Sequence, residues 1–442
     1  MNHIKHILSL AFGLVCCGLV AALTACSDYD ETIDTCTLTV ALHFPEGMSS
    51  QKDGIRVELR SIGHDALFVD STDTQGIAHF QVIPGIYEAS SSSTHKQGAN
   101  GLLILNGTSG QIVVKEQAAD VAIDLQGSSI SQLVIKELYN GGVLKDDGKN
   151  FMYDKCVILY NNSPQTATLS NLCFGIISPY NSQGDNKWYG TDGRLIYDSE
   201  GYVPAIDGIW YFPETLQIDP YQQVVVNIHG AIDNTLTYPQ SVNYAHAEYY
   251  CMYDPEAGYT NANYYPAPSE VIPTSHYLKA IKIGISNAWA LSVTSPAFIL
   301  FQTQDITPQQ FANDVGNLRY TPGAPQTDVY KVAKVPVEWI LDGIEVYSAA
   351  STISNKKRLT ATVDAGYVNL TNQHGHTLYR NVDKEATEAL GENAGLLVYG
   401  YESDPSGINA EASLRNGAHI VYMDTNNSSS DFHEREQCSL RE

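Results

Sequence analysis

Basic side chains are scarce in this sequence of 442 residues. Lysine and arginine together number 25, against 49 aspartates and glutamates, and the formal net charge is -24. A nucleic-acid partner requires a basic face that neutralises phosphates. The longest basic run is Lys356-Lys357-Arg358, and a solvated loop explains it. We therefore expect no nucleic-acid partner, and the acidity favours solubility and cation binding.

Local catalytic and cofactor-binding motifs are also lacking. The sequence has no G-x-S-x-G elbow, no H-E-x-x-H, no phosphate-binding P-loop and no paired cysteines at zinc spacing. We therefore predict a protein that is not an enzyme and has no cofactor. An enzyme whose site is assembled from distant loops is the less favoured alternative.

No two cysteines have the C-x-x-C spacing. Cys16 and Cys17 lie in an N-terminal apolar run, and Cys26 follows that run directly. Five cysteines remain: Cys36, Cys156, Cys173, Cys251 and Cys438. Because this number is odd, a dense disulfide framework is not expected. A single bridge between Cys156 and Cys173 is the favoured prediction, and buried free thiols are the alternative.

Only one long apolar run is present, and it lies near the N-terminus. It extends from Ile7 to Leu23 after the basic Lys5, has marginal length for a bilayer span and lacks a stop-transfer flank. It ends in Leu23-Thr24-Ala25-Cys26, which resembles the lipobox of bacterial lipoproteins. The resemblance implies that residues 1–25 are a signal peptide and that Cys26 is lipidated. The membrane is then a partner through the lipid anchor.

The residues that follow are short, polar and acidic. The segment Ser27-Asp28-Tyr29-Asp30-Glu31 resembles the signal that exports lipoproteins of Bacteroidota to the outer face of the outer membrane. The resemblance implies a lipid-anchored protein at the cell surface. A simpler interpretation is that residues 26–35 are a solvated acidic tether.

Residues 36–127 have the pattern of a small all-β domain. The segments 37–42 and 55–59 alternate apolar and polar residues, and Pro84-Gly85 is a turn signal that predicts a hairpin after the strand at 76–80. The spacing Gly76-x-Ala78-x-Phe80-x-x-x-Pro84-Gly85-x-Tyr87 resembles the carboxypeptidase-regulatory and prealbumin-like sandwich family. That family implies a seven-stranded spacer or adhesion module without catalysis.

Residues 131–442 form a second, tyrosine-rich region with strand-like runs between long polar stretches. Predicted strands cover 132–138, 156–160, 224–228, 297–301 and 418–423. Predicted helices run from Pro308 to Leu318, with Thr307 as the N-cap, and over 337–341. Residues 433–436 are interpreted as a frayed, solvated terminus.

Two stretches of this region resemble lamin-tail domains. They are Leu133–Asn140 with Asp154–Ser163 at one end, and Thr377–Arg380 with Asp424–Phe432 at the other. The resemblance implies an immunoglobulin-like sandwich that binds partners and has no catalytic residues. The chain departs from that pattern by more than a hundred extra residues between these ends. The predicted fold class is therefore mainly β, with a prealbumin-like sandwich followed by a larger lamin-tail-like β-sandwich with long insertions and a few short helices.

The same region also resembles one uncharacterised family of Bacteroidota surface lipoproteins. The resemblance is carried by Asp185–Gly190, Gly208–Pro213, Ser241–Ala245 and Tyr264–Ser269. Such lipoproteins often work beside outer-membrane receptors in nutrient capture. This association implies an outer-membrane receptor as a partner.

Tyrosines are concentrated between residues 244 and 265, where they suit recognition on an exposed loop. The candidate ligand-binding residues are Tyr249, Tyr250, Tyr253, Tyr259, Tyr264, Tyr265, Trp188 and Trp210. A glycan or another small ligand that stacks on such rings is the expected partner. The alternative is that the rings pack a long irregular loop against the sandwich.

Two weaker candidates concern metals. Asp424, Asn426 and Asp431 lie in an oxygen-rich segment that could hold calcium, although ordinary turns use the same residues. His374 and His376 are two residues apart and fall on one face of an extended chain, without a visible third ligand.

Together these patterns favour a non-enzymatic binding module at the cell surface. It would capture a ligand or dock on an outer-membrane receptor in nutrient uptake. A structural or adhesive surface protein without a small-molecule site is the alternative.

Overall fold

The computed structural model describes residues 35–45, 52–62, 66–97, 101–115, 118–129, 131–351 and 354–441. The fold is mainly β, with several sheets and few short helices, as the sequence predicts. Cys26, the signal peptide and most of the acidic tether lie outside the described residues. No helix within the described ranges is long and apolar enough to cross a membrane.

The first part of the chain forms two facing sheets. One has the strand order β4-β1-β7 and the other β3-β2-β5-β6-β8. The strands are β1 (Cys36–His43), β2 (Arg56–Ser61), β3 (Leu67–Ser71), β4 (Ile77–Val82), β5 (Gly85–Gln97), β6 (Gly101–Val114), β7 (Ala119–Asp124) and β8 (Gln126–Ser129). Alternate residues of β1 are buried, because one face of this mixed sheet packs on the core and successive side chains of a strand point to opposite faces. The hydrophobic core of these two facing sheets consists of residues between Cys36 and Leu125.

The connection at Pro84-Gly85 does not make the predicted hairpin. β4 pairs with β1, whereas β5 pairs with β2 and β6, so this turn carries the chain from one sheet to the other. Turn residues signal a reversal of the chain but do not specify whether the next strand stays in the same sheet. The described residues form eight strands here, one more than the prealbumin-like resemblance implies.

The larger region contains two main sheets. The first has the order β18-β17-β12-β9-β25-β26, and the second has β21-β22-β15-β14-β20-β23-β24 with β19 beside β15. The two pairs β10-β11 and β13-β16 are separate. The strands are β9 (Leu133–Tyr139), β10 (Val143–Leu144), β11 (Asn150–Phe151), β12 (Lys155–Asn161), β13 (Ala167–Leu169), β14 (Leu172–Ile177), β15 (Tyr202–Tyr211), β16 (Leu216–Ile218), β17 (Gln223–His229), β18 (Tyr250–Cys251), β19 (Lys279–Lys282), β20 (Ala297–Gln302), β21 (Leu318–Tyr320), β22 (Lys331–Pro336), β23 (Ile340–Ser348), β24 (Val368–Leu370), β25 (Thr377–Arg380) and β26 (Phe432–Arg435).

Both main sheets are buried on both faces. Their facing sides share one core, which includes Leu159 of β12 and Phe298 of β20. The outer faces are covered by the long insertions, so all seven residues of β9 and of β12 are buried. β12 therefore contains a continuous apolar run from Cys156 to Tyr160, whereas β9 is interrupted by the buried Lys136 and Glu137. The β-sandwich is therefore present, and the specific resemblance to lamin-tail domains stays a prediction.

The helices are short. They are α1 (Pro308–Asn313), α2 (Lys384–Ala389), α3 (Ala410–Arg415) and α4 (Ser428–Asp431), with 3-10 turns at Asn234–Leu236, Thr274–His276, Val315–Asn317, Asp328–Tyr330, Val337–Trp339, Ala349–Ser351 and Gly391–Asn393. Thr307 caps α1 as predicted, in a reciprocal capping box with Gln310. The helix ends earlier than predicted, since Asp314 is extended and caps the following 3-10 turn.

Four of the five strands predicted in this region are present as β9, β12, β17 and β20. The strand predicted at 418–423 is wrong, although Ile420 and Tyr422 are buried alternately as in a strand. Side chains bind its backbone instead: the Tyr422 N–H donates to Asn162 Oδ1 at 2.8 Å, and the Val421 N–H donates to Thr387 Oγ1 at 3.0 Å. The predicted frayed terminus at 433–436 is also wrong, because most of it belongs to β26, which pairs with β25.

Candidate functional site

The tyrosine-rich stretch packs against the sandwich instead of presenting its rings to solvent. All six candidate tyrosines from Tyr249 to Tyr265 are half-buried. Tyr259 and Tyr265 stack beside Trp210, with ring centroids 6.1 and 5.8 Å from it. Their hydroxyls donate to the backbone carbonyls of Asp207 and Trp289 at 2.7 and 3.1 Å. These two rings therefore anchor an irregular loop.

The remaining tyrosines of this stretch have ring partners as well. Tyr250 stacks on His276 at 4.1 Å, and Tyr253 meets Tyr277 edge-on at 5.6 Å. Tyr249 packs near His246 at 4.7 Å, and Tyr264 lies against Tyr153 and His229. This arrangement fits the packing alternative, because the rings already contact the protein.

The two tryptophans proposed as ligand contacts are interior side chains. Trp210 is completely buried in the core between the main sheets, and Trp188 is 1% exposed. The Trp188 indole N–H donates to Ser178 Oγ at 3.2 Å. Trp210 therefore has a packing role, whereas Trp188, although almost completely buried, also lines a cavity of about 410 Å³.

The candidate calcium ligands surround an arginine. The buried guanidinium of Arg380 donates to Asp342 and lies 3.7 and 3.6 Å from carboxylate oxygens of Asp424 and Asp431. Asn426 contributes its backbone carbonyl to the N–H of Ala365 at 2.7 Å. The positive charge beside these carboxylates is therefore the Arg380 guanidinium, at the place where the sequence suggested a calcium ion.

Asp424 is the unusual member of this cluster. Its two carboxylate oxygens are buried, and neither makes a hydrogen bond that meets standard geometry. Burial, with the nearby Asp342 carboxylate, raises the pKa of Asp424 to about 8 despite the attraction of Arg380. A pKa of about 8 favours the protonated form of Asp424 at neutral pH, and the guanidinium of Arg380 donates to the Asp342 carboxylate instead.

The histidine pair does not form a metal centre. His376 Nδ1 lies 2.7 Å from a carboxylate oxygen of Glu434, and the ring of His374 is 5.8 Å away, centroid to centroid. Within the described parts of the chain, no group of three or more histidine, cysteine, aspartate or glutamate side chains could hold a metal ion.

The predicted bridge between Cys156 and Cys173 does not occur. Cys156 lies on β12 and Cys173 on β14, so the two thiols belong to different sheets and different cores. Both are free and buried, together with Cys36, Cys251 and Cys438. Proximity in sequence misled the prediction, because each strand follows its own sheet.

A cleft of about 360 Å³ lies where the first sandwich meets the larger region. We call it the interface cleft, and its lining includes Glu88 and Gln111 of the first sandwich with Tyr189, Asp192, Arg194, Tyr347, Lys356, Tyr367 and Asn369 of the larger region. Asn106 of β6 is completely buried nearby and donates to the carbonyl of Thr425 at 2.9 Å. Clefts at such junctions that combine aromatic rings with a few polar groups are common ligand sites.

A tight loop forms one wall of the interface cleft. Tyr189 and Leu195 pair across it, and the Gly190 N–H donates to the carbonyl of Arg194 at 2.8 Å. The Asp192 carboxylate accepts the Arg194 N–H at 3.1 Å, which fixes the turn. The guanidinium of Arg194 lies 3.8 Å from Asp124, so the loop also contacts the first sandwich.

Stacked aromatic rings form a second wall. Tyr347 at the end of β23 and Tyr367 just before β24 stack with centroids 4.0 Å apart, because β23 and β24 run parallel and adjacent. Arg60 of β2 lies 5.2 Å from the Tyr367 centroid, and Lys356 lies 5.7 Å from that of Tyr189. Cations thus lie beside these rings, and the wall combines hydroxyl groups with positive charge.

A buried ion pair follows the lining residues Lys356 and Lys357 in the chain and does not itself line the cleft. Arg358 donates through Nε and Nη2 to Glu345 Oε1 at 2.9 and 2.7 Å, and both side chains are completely buried. Lys357 is 6% exposed and donates to the carbonyl of Gly366. The prediction of a solvated basic loop at 356–358 is therefore wrong for Lys357 and Arg358, and it holds for the exposed Lys356.

Electrostatics in the cleft favour a polar ligand with anionic groups. Burial raises the pKa of Glu88 more than Lys357 and Arg60 lower it. The carboxyl group of Glu88 is therefore less readily ionised than an exposed glutamate, whereas Arg194 and Lys356 are exposed and cationic. This balance contrasts with the acidity of the whole chain.

Sequence reasoning missed every residue of the interface cleft as a ligand contact. Tyr189 lies in the segment Asp185–Gly190 that was noted for family resemblance, and Lys356 in the basic run. Both signals were local, whereas the cleft joins positions from Glu88 to Asn369.

Comparisons with known proteins identify one matching family. The model of the family described as "Protein of unknown function (DUF4876)" matches residues 219–439, half of the chain. A crystal structure of a DUF4876 family protein from Bacteroides thetaiotaomicron VPI-5482 is 20% identical, with a TM-score of 0.52 over 90% of this chain and 94% of that one. At this identity the likeness concerns the fold alone.

A crystal structure of a DUF3823 family protein from Parabacteroides merdae ATCC 43184 matches 32% of this chain and 66% of its own at 10% identity. Its TM-score of 0.15 carries no argument about the fold. No curated protein matches the chain significantly.

Proposed function

We propose that this chain, which belongs to the DUF4876 family, is a non-enzymatic surface lipoprotein that captures a polar ligand in the interface cleft. The supporting observation is the cleft itself, which gathers tyrosine hydroxyls, two exposed cations and amide groups at the junction of the two sandwiches. Glycans suit such a lining, because they offer many hydroxyls and, in acidic sugars, carboxylates. The buried ion pair of Arg358 and Glu345 fixes the chain directly after the lining residues Lys356 and Lys357, which limits the ordering cost of binding at those two positions.

The lipobox-like motif at Cys26 supports anchoring of this module to the outer membrane, facing outward. An acidic tether would hold the sandwiches away from the lipid surface. An outer-membrane receptor is the expected recipient of the captured ligand. These points rest on sequence resemblance.

The test is a glycan array with neutral and acidic glycans, probed with residues 27–442, followed by calorimetric titration of each hit. Arg194→Ala and Lys356→Ala each remove a cation from the cleft without touching a core. Both variants should weaken binding of an acidic glycan at least tenfold. Arg56→Ala is the matched control, because Arg56 is also an exposed arginine in an ion pair, with Glu58, and does not line the cleft.

Two results would contradict the proposal. If both cleft variants bind the acidic glycan with unchanged affinity, the glycan binds outside the interface cleft. The absence of any glycan hit would favour the structural or adhesive alternative.

A further inference from the structure

The C-terminal segment returns to the outer face of the β9–β12 sheet and brings two cysteines together. After β26 ends at Arg435, Ser439 binds the carboxylate of Glu137 on β9 through its backbone N–H, at 3.0 Å, and through its hydroxyl. Cys438 precedes this anchor and belongs to the same buried cluster of side chains as Cys156 on β12. An interaction with the Cys156 side chain is also among the causes that raise the pKa of Cys438.

Both thiols belong to the same apolar core. Cys156 and Cys438 are each completely buried and pack there with Tyr139, Ile158, Val225, Val242 and Tyr244. The other cysteines of the described chain lie elsewhere: Cys36 in the first sandwich, Cys173 on the far face of the second main sheet, and Cys251 in a separate small cluster. Only one thiol pair is therefore placed for a bond among the described residues.

We propose that Cys156 and Cys438 form a disulfide bond when the chain folds in an oxidising compartment. The bond would fix the C-terminal segment to β12 at a point 282 positions earlier in the chain. This inference does not depend on the interface cleft. It replaces the bridge between Cys156 and Cys173 that the sequence spacing suggested.

The chemistry is thiol–disulfide exchange with an acceptor disulfide, either oxidised glutathione or the disulfide of an envelope oxidoreductase. One cysteine thiolate attacks the acceptor, breaks its sulfur–sulfur bond and releases one acceptor thiolate. The second cysteine thiolate attacks the mixed disulfide, forms the Cys156–Cys438 bond and releases the other acceptor thiolate. The two cysteines lose two protons and two electrons, and the acceptor disulfide becomes two thiols.

Burial determines when this exchange occurs. The thiolate is the reactive form, and burial raises the pKa of Cys438 well above its ordinary value. Both sulfurs are also closed to solvent in the folded chain. The bond should therefore form before this core closes, and the folded thiol form should oxidise slowly.

The experiment compares residues 27–442 produced in the oxidising periplasm and in the reducing cytoplasm of a bacterial host. Free thiols are alkylated in denaturant without reductant, and tryptic peptides are sequenced by fragmentation in the mass spectrometer, because Cys156 and Cys173 share the tryptic peptide 156–187. We expect periplasmic protein to contain this peptide linked to the Cys438 peptide, at a mass two hydrogen atoms below the sum of the two peptides with one alkyl group added, and fragmentation should place the link on Cys156 and the alkyl group on Cys173. Cys36, Cys173 and Cys251 should be alkylated, and all five cysteines should be alkylated in cytoplasmic protein.

Cys438→Ala provides the control, because it removes one partner near the end of the chain and leaves β12 intact. Periplasmic Cys438→Ala should show Cys156 alkylated and should melt at the same temperature as its cytoplasmic counterpart, whereas periplasmic wild type should melt higher than cytoplasmic wild type. The proposal fails if folded periplasmic protein has both Cys156 and Cys438 alkylated, or if Cys156 is linked to another cysteine.

Discussion

Replacing Arg358 by methionine should destabilise the larger sandwich strongly. The guanidinium of Arg358 makes two hydrogen bonds to Glu345 Oε1 and one, at 3.0 Å, to the carbonyl of Pro179. The other carboxylate oxygen of Glu345 accepts the backbone N–H groups of Arg358 and Leu359 at 2.7 and 2.8 Å. Methionine preserves much of the side-chain volume but leaves the Glu345 carboxylate buried without a counter-charge.

The expected magnitude follows from this uncompensated charge. Removing one partner of a buried ion pair costs about 3–5 kcal/mol, mostly because the other charge stays in the interior. Glu345→Gln alone should cost a similar amount, because it leaves the arginine unpaired. The double variant Arg358→Met with Glu345→Gln removes both charges and keeps an oxygen for the backbone N–H groups. The double variant should lose at least ~2 kcal/mol less free energy of unfolding than the two single variants lose in sum.

The assay is urea unfolding followed by tryptophan fluorescence, since three of the four tryptophans are buried in the larger region. Arg319→Met is the control, because the exposed Arg319–Glu200 pair should contribute less than about 1 kcal/mol. The reasoning is refuted if Arg358→Met costs under ~1 kcal/mol, or if the costs of the two single variants add.

Two further predictions concern a titration and the anchor. Because Asp424 has a raised pKa in the folded chain, its contribution to stability is largest below about pH 4 and is lost as the pH rises toward 8, by up to ~1.4 kcal/mol per pH unit. Asp424→Asn has no carboxyl group and should escape this loss. The free energy of unfolding of the variant should therefore rise relative to that of wild type between pH 5 and pH 8. If the two free energies change with pH in parallel, the raised pKa of Asp424 is contradicted. Cys26→Ala should release the protein from membranes in cell fractionation, and its retention in the membrane fraction would refute the lipid anchor.

The strands that could be predicted are those whose burial is visible in the sequence as a local run of apolar residues. β12 contains a continuous apolar run from Cys156 to Tyr160, and β9 opens with Leu133-Val134-Ile135, because both faces of their sheet are covered. The segment at 418–423 has a similar pattern for a different reason. Ile420 and Tyr422 fill an outer core while side chains of Asn162 and Thr387, far away in the chain, bind the backbone. Alternating burial therefore predicts an extended chain but not its pairing.

The candidate site could not be predicted, because no local pattern encodes it. Its tyrosines at positions 189, 347 and 367 come from three separate segments, whereas the dense run from Tyr249 to Tyr265 serves to pack a loop. The basic run at 356–358 also led to a wrong prediction, because its local sequence does not show the distant partner. Arg358 belongs to a basic run that looks solvated, yet its partner Glu345 lies on a neighbouring buried strand.

The most direct test of the proposed function is calorimetric titration of residues 27–442 with an acidic glycan identified on the array, for wild type and for Tyr367→Phe. This substitution keeps the ring that stacks on Tyr347 and removes only the hydroxyl group. If the interface cleft binds the ligand, Tyr367→Phe should lower the affinity by roughly 5- to 30-fold, as expected for the loss of a hydrogen bond of about 1–2 kcal/mol. Equal affinities for the two proteins, together with equal affinities for Arg194→Ala and Lys356→Ala, would contradict ligand capture in the cleft.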